Sequence, residues 1–200
     1  MLFNFFRKEK IISHEEQILE WKAKGKPAPP PHAIKQQLLT AFQKEFNLTT
    51  LIETGTFLGD MVDAQKNNFQ KIYSVELSEK LFKKARKRFQ DSNHIEIIQG
   101  DSSTVLNKVV EGLDVPALFW LDGHYSGGIT ALGNKECPVP EELQIILNSP
   151  IGHVILIDDA RLFNGTQSYP TVDEINLILK KSTHQYNIVV EDDIIRLTPA

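Results

Sequence analysis

The sequence predicts an α/β fold in which a mostly parallel seven-stranded sheet is covered by helices on both faces. Short apolar segments alternate with helical segments from residue 50 onward, and the last two strand-like segments are separated by residues 191–193 alone. Alternation of strands and helices is typical of parallel sheets, whereas so short a final connection requires an antiparallel hairpin. The composition, 41% hydrophobic and 24% charged, is that of an ordinary globular domain.

Each strand of the predicted sheet corresponds to one apolar, β-branched segment. The parallel strands are predicted at residues 50–53, 71–76, 94–99, 117–121 and 154–157, and the hairpin at 186–190 and 194–198. Helices are predicted near residues 59–67, 78–90, 102–111, 140–148 and 171–181. The whole of residues 49–200 is therefore interpreted as one domain.

Residues 1–48 are predicted to form an N-terminal helical appendage. A polar helix is expected over residues 11–25 and a second helix over 33–46, where apolar side chains recur at helical spacing. The prolines between the two helices indicate a stiff, extended linker. We expect these helices to cover part of a site on the domain, and they offer a surface for a second copy of the chain in a homodimer.

The sequence also predicts where the protein is found. The apolar stretch within residues 1–10 is too short for the hydrophobic region of a signal peptide. No run of about 18 apolar residues follows, so we expect no membrane span. Cys137 is the single cysteine and cannot form an internal disulfide, which favours a reducing compartment. A cytoplasmic location is the expectation.

Acidic residues follow the predicted parallel strands at their carboxyl ends. In an open α/β sheet, ligands bind outside these ends, near the point where the strand order reverses. The acids at these positions are Glu53, Glu76, Asp101, Asp122, and Asp158 with Asp159.

The first strand runs into a glycine-containing turn, Glu53-Thr-Gly-Thr-Phe-Leu-Gly-Asp60. Gly55 and Gly59 allow a sharp turn and the close approach of a ligand to the backbone. The spacing differs from the Gly-x-Gly-x-x-Gly of dinucleotide-binding folds. A plain strand-to-helix turn is the alternative interpretation.

The next two strand ends carry residues suited to a nucleoside. Glu76 lies 21 residues after Gly55, the interval at which nucleotide-binding α/β folds place the acid for the ribose hydroxyls. Asp101 follows Gly100 and can accept a hydrogen bond from an exocyclic amine such as that of adenine. The alternatives are capping roles, with Ser78 capping one helix beside a solvated Glu76, and Asp101 or Ser102 capping the next.

Taken together, Glu-x-Gly-x-x-x-Gly, Glu76 and Gly100-Asp101 resemble the class I S-adenosylmethionine-dependent methyltransferases. The resemblance covers roughly residues 49–198 and implies a Rossmann-like, doubly wound sheet. It also implies a cofactor site with the methionine part on the first loop, the ribose on Glu76 and the adenine beside Asp101. The implied cofactor-binding residues are Glu53, Thr54, Gly55, Thr56, Gly59, Glu76, Asp101, Ser102 and Asp122. Many members have Gly-x-Gly-x-Gly in the first loop, and the looser spacing here is more similar to the macrocin-type O-methyltransferases.

Asp122, Asp158 and Asp159 are predicted to meet at adjacent strand ends. Such an oxygen-rich cluster suits Mg²⁺ or another hard cation; the alternative is a salt bridge from Asp158 or Asp159 to Arg161. The arrangement resembles the metal site of catechol-type and macrocin-type O-methyltransferases, which implies a cation that binds the acceptor oxygen and lowers its pKa. His124, after Asp122, is the candidate general base, and a structural or metal-ligating loop histidine is the alternative.

The expected function is therefore methyl transfer to a hydroxyl oxygen of a small molecule, such as a sugar or a natural-product intermediate. The net charge of −4 argues against a nucleic-acid partner. Two alternatives remain at this stage. One is an NAD-dependent oxidoreductase, against which the missing Gly-x-Gly-x-x-Gly argues; the other is a non-catalytic, cofactor-binding interaction protein.

Overall fold

The computed structural model describes residues 12–123 and 137–200. These residues form one seven-stranded sheet in the order β3-β2-β1-β4-β5-β7-β6. Strands β1 to β5 run parallel, and β7 and β6 are antiparallel, which confirms the predicted fold class. The strands are β1 (Thr50–Thr54), β2 (Lys71–Glu76), β3 (Ile95–Gln99), β4 (Leu118–Leu121), β5 (Val154–Ile157), β6 (Tyr186–Glu191) and β7 (Ile194–Pro199).

Helices connect the strands close to the predicted positions. They are α1 (His14–Ala23), α2 (His32–Glu45), α3 (Asp60–Gln65), α4 (Glu79–Arg88), α5 (Ser102–Glu111), α6 (Val139–Leu147) and α7 (Val172–Leu179). Side chains that accept backbone N–H groups start several of them, with Ser13 and Thr171 forming complete capping boxes. A short 3₁₀ turn at Ala160–Leu162 follows β5 and was not predicted from the sequence. None of the described helices is long and apolar enough to span a bilayer.

The central strands are buried along their whole length because helices cover both faces of the sheet. Every residue of β1, β4 and β5 is buried. Since successive side chains point to opposite faces, Phe119 joins one core cluster and Trp120 the other. This rigid centre fixes the carboxyl ends of β1, β4 and β5 relative to one another.

The sheet closes with a two-residue hairpin turn. β6 continues through Glu191, so only Asp192 and Asp193 separate it from β7, one residue fewer than the sequence suggested. Both turn residues have positive φ, 51° and 63°, as the tight turns that match the twist of a hairpin require.

The N-terminal helices pack onto the domain. Leu39 of α2 is fully buried and shares a core cluster with Leu51, Trp120 and Leu156. On α1, Trp21 is buried and its indole N–H donates to the carbonyl oxygen of Pro27 (2.8 Å). The sequence therefore brings α2 against the same sheet whose strand ends carry the acids.

Candidate functional site

The strand order reverses between β1 and β4, because β2 and β3 lie on one side and β5 on the other. The ends of β1 and β4 touch here, where the Asp122 N–H donates to the carbonyl oxygen of Thr54 (3.1 Å). Gly55 has φ +89°, and a Cβ at this position would collide with the Asp122 carbonyl, 2.8 Å from its carbon. Only glycine fits at this crossing, so the loop lies where open α/β sheets bind ligands.

The loop after Gly55 is held in place from α4. Arg88 donates through Nη1 to the carbonyl oxygen of Leu58 and to Asp60 Oδ1, each at 2.7 Å. Gly59 has φ +82°, and a Cβ there would lie 2.7 Å from the ring of Phe89. The loop geometry thus depends on one cation and one ring of the neighbouring helix.

Glu53 lies beneath this loop and is 2% exposed. The Ser74 hydroxyl donates to its carboxyl group, and the Thr56 and Ser74 hydroxyls are 2.6 Å apart. Burial, with a smaller contribution from the charge of Glu76, raises the pKa of Glu53 to about 8, against the hydrogen bond from Ser74. A neutral Glu53 therefore supports the loop from below at neutral pH.

Glu76 ends β2 beside the same loop. Its Oε2 accepts the N–H of Phe57 and its Oε1 accepts the N–H of Ser78, each at 2.8 Å. The side chain is buried rather than solvated, and burial raises its pKa although both backbone hydrogen bonds oppose the shift. Ser78 also caps α4, so the capping role and the buried carboxylate coexist.

Asp101 and Ser102 stand at the start of α5. Asp101 is the N-cap residue, and its Oδ1 accepts from the Ser103 N–H (3.0 Å) and hydroxyl (2.7 Å). Gly100, with φ +149°, would place a Cβ 2.6 Å from Val105 Cγ1. The capping alternative is thus present, and the residue still stands at the ligand edge of the sheet.

Glu142 of α6 was missed by the sequence reasoning. It is fully buried beside Thr54 and Ser102, and within residues 12–123 and 137–200 neither of its carboxylate oxygens has a partner at hydrogen-bonding geometry. Burial raises its pKa to about 7, although the nearby hydroxyls of Ser102 and Thr54 lower it. Its place within the apolar face of α6, next to Leu143, was the signal that could have revealed it.

The acids after β4 and β5 surround a lysine. Asp158 is 1% exposed; its Oδ2 pairs with the Nζ of Lys35, and its Oδ1 accepts the Asp159 N–H (2.9 Å). Arg161 donates to Asp159 Oδ1 (2.7 Å), which is the salt bridge named as the alternative to metal binding. Burial lowers the pKa of Lys35, but the charge and hydrogen bond of Asp158, together with the charges of Asp122 and Asp159, outweigh burial and the net pKa is raised.

These residues do not fit the expected divalent cation. Within residues 12–123 and 137–200 no three metal-ligating side chains are placed to share an ion. The predicted ligands Asp122, Asp158 and Asp159 are close enough to act on one ammonium group, yet Lys35 already pairs with Asp158 and Arg161 with Asp159. His124, the candidate base, lies outside the described residues.

Lys35 was not singled out from the sequence, although its position in α2 carried a signal. It precedes Leu39 by four residues and Phe42 by seven, so it lies on the apolar side of an otherwise amphipathic helix. A lysine on such a face requires a buried acidic partner. The partner is 123 positions away in sequence, so its identity could not be read from the pattern.

The comparisons with known proteins bear on the fold. Neither a protein-family model nor a curated protein matches the sequence. Among solved structures, the O-methyltransferase TomG from Streptomyces achromogenes, in complex with SAM, has a TM-score of 0.62 at 16% identity and covers 94% of this chain and 89% of its own. The chain has the methyltransferase fold.

Two further structures with the methyltransferase fold also align with most of this chain. The O-methyltransferase from Bacillus cereus, in complex with SAH, gives a TM-score of 0.59 at 17% identity, with 92% of this chain and 90% of that chain covered. The 23S rRNA methyltransferase ErmE gives 0.52 at 15% identity, with 82% and 68% covered. At these identities the likeness concerns the fold alone.

Proposed function

We propose that the protein transfers a methyl group from S-adenosylmethionine to a hydroxyl oxygen of a small molecule. The observation that carries the proposal is that the ends of β1, β2 and β3 lie side by side, starting next to the point where the strand order reverses. There the turn at Gly55, the buried carboxylate of Glu76 and the start of α5 at Asp101 lie along one edge of the sheet. The fold shared with SAM- and SAH-bound O-methyltransferases supports the same assignment.

In this proposal each strand end has one part of the cofactor. The loop of Glu53, Thr54, Gly55, Thr56 and Gly59 holds the methionine part. Glu76 accepts the ribose hydroxyls with the lone pairs that its two backbone hydrogen bonds leave available. Asp101 and Ser102 stand beside the adenine, and Asp122 lies beside the cofactor at the end of β4.

The reaction requires little chemistry from the protein. The acceptor oxygen forms a bond to the methyl carbon as the bond from that carbon to sulfur breaks, the acceptor proton leaves to a base, and S-adenosylhomocysteine remains. Holding the oxygen in line with the methyl group and excluding water supplies most of the rate enhancement. Because the described residues do not fit a divalent cation, no step of the proposal depends on one.

A small-molecule acceptor is favoured over a nucleic acid. The acceptor side of the site carries Asp122, Asp158 and Asp159, and the whole chain has a net charge of −4. Phosphate backbones are bound by basic surfaces, whereas the two cations here, Lys35 and Arg161, are already paired with Asp158 and Asp159. A hydroxylated sugar or natural-product intermediate has no such conflict. A cytoplasmic location and a homodimer remain predictions.

Calorimetric titration with S-adenosylhomocysteine tests the proposal. We expect micromolar binding by the wild-type protein and at least tenfold weaker binding by Glu76→Ala, because the ribose loses its acceptor. Glu79→Ala, which changes an exposed acid three residues further on, is the matched control and should bind like wild type. Absence of binding by the wild-type protein, or binding of NAD in its place, would contradict the assignment.

A further inference from the structure

Lys35 brings a positive charge to the one place in the site where a cation was expected. Its Nζ pairs with Asp158 Oδ2 and lies 3.9 Å from Asp159 Oδ1. The lysine side chain is only 13% exposed and that of Asp158 only 1%. The ammonium group is therefore held at the ends of the strands, rather than extended into solvent like a surface lysine.

Asp158 and Asp159, the two acids paired with or nearest to Lys35, accept from other protein donors as well. Asp158 binds the ammonium with one oxygen and the Asp159 N–H with the other. Asp159 receives Nη1 of Arg161, which also pairs with Asp193 in the hairpin turn. A metal ion in this position would have to displace these donors and would lie within a few ångströms of two fixed positive charges.

Helix α2 is fixed well enough to hold the ammonium in place. Leu39, one turn after Lys35, is fully buried in the core. One residue after the lysine, the carbonyl oxygen of Gln36 accepts from Gln65 Nε2 of α3 (2.8 Å). Apolar packing on one side of Lys35 and a hydrogen bond to a neighbouring helix on the other restrict its backbone.

We propose that the ammonium group of Lys35 takes the place of a divalent cation at the ends of β4 and β5. The site then carries its own fixed positive charge, contributed by the N-terminal segment, and holds no metal ion when it works. That this charge faces the methyl acceptor rests on the proposed function. The replacement of the cation rests on the ion pairs alone.

Titration with Mn²⁺, followed by electron paramagnetic resonance of the free ion, tests the replacement. The wild-type protein should bind Mn²⁺ no more than weakly, whereas Lys35→Met should bind one ion at least tenfold more tightly because the carboxylates lose their cation. Adding Asp158→Asn to Lys35→Met should remove the gain. Lys35→Arg, which keeps the charge, and Lys44→Met, which changes an exposed lysine of the same helix, should both behave like wild type.

A gain of Mn²⁺ binding in Lys35→Met supports the proposal, and the absence of a gain in the folded variant overturns it. The wild-type titration decides independently of how the variant folds, because a tight Mn²⁺ site that Asp158→Asn removes would also overturn it. Failure to bind S-adenosylhomocysteine would instead contradict the proposed function. The Mn²⁺ comparison would keep its meaning, since it depends only on the ion pairs.

Discussion

Two carboxyl groups, those of Glu53 and Glu142, are buried near the end of β1. Glu53 is held by the Ser74 hydroxyl, whereas Glu142 has no partner at hydrogen-bonding geometry in the part of the chain that the structure describes. Burial raises both pKa values, to about 8 and about 7 respectively. A buried carboxylate without a partner costs far more free energy than a neutral carboxyl group in the same place. Stability should therefore depend on pH through both residues, and Glu142 is the one that can be changed without altering the hydrogen bond of Ser74 to Glu53.

Glu142→Gln should change how stability depends on pH. The folded protein keeps the proton of Glu142 up to about pH 7, whereas the unfolded chain releases it near the ordinary pKa of 4.5. The free energy of unfolding therefore falls as the pH rises from about 4.5 to about 7. Relative to wild type, the variant should gain up to roughly 3 kcal/mol between pH 4.5 and pH 8.

Urea denaturation at the two pH values measures this gain. Glu111→Gln, which changes an exposed glutamate at the end of α5, is the control and should follow the wild-type curve. An equal difference between wild type and Glu142→Gln at both pH values would show that Glu142 is ionised alike in the folded and unfolded states.

The turn from β1 to α3 is the element on which the cofactor site depends. It crosses β4 so closely that Gly55 has no room for a side chain, and its positive φ is unfavourable for other residues. Arg88 fixes its far end through the carbonyl oxygen of Leu58. Its conformation therefore comes from the strands and helix around it, as well as from its own glycines.

Gly55→Ala should distort this turn. The added Cβ meets the Asp122 carbonyl group in a strained backbone conformation, so we expect a loss of roughly 1–3 kcal/mol in the free energy of unfolding and loss of S-adenosylhomocysteine binding. Denaturation and calorimetry measure the two effects.

Gly112→Ala is the matched control for this substitution. Gly112 has a right-handed backbone conformation, and a Cβ there would lie 3.5 Å from its nearest neighbours. It should stay within about 0.5 kcal/mol of wild type. A Gly55→Ala protein as stable as Gly112→Ala would show that the turn can move away from β4.

At the scale of the whole molecule, the N-terminal segment and the sheet share buried side chains. Leu39 belongs to the core cluster that also contains Leu51 and Trp120. In the linker between α1 and α2, Lys26 pairs with Asp192 in the hairpin turn (3.0 Å). Residues 1–48 were interpreted as an appendage, but these contacts predict that the described part of the segment unfolds together with the domain.

Leu39→Ala tests this coupling. Loss of a fully buried leucine should cost about 2–5 kcal/mol, whereas Leu19→Ala on α1, where the side chain is 67% exposed, should have little effect. The chain has two tryptophans, so in a Trp120→Phe background fluorescence reports Trp21 of α1 alone. Its transition should coincide with the loss of circular dichroism, and an earlier Trp21 transition would establish an independent appendage.

The sequence by itself determined the architecture and the positions along the chain at which the site residues occur. Strand and helix periodicity, the closing hairpin and the turn with its glycines at 55 and 59 depend on interactions over a few residues, so the local pattern predicts them. Because parallel strands end on one edge, the sequence also predicted that the acids after β4 and β5 would lie close together.

Only the tertiary structure decided what compensates those acids. Lys35 and Asp158 are 123 residues apart. The same aspartates would stand in the sequence whether they bound a metal ion or formed ion pairs with basic side chains. The choice depends on which side chain reaches them when α2 packs on the sheet. Glu142 is a similar case, because its raised pKa comes from burial under elements distant in the chain. Burial and charge pairing are properties of the folded arrangement, and therefore the sequence left them open.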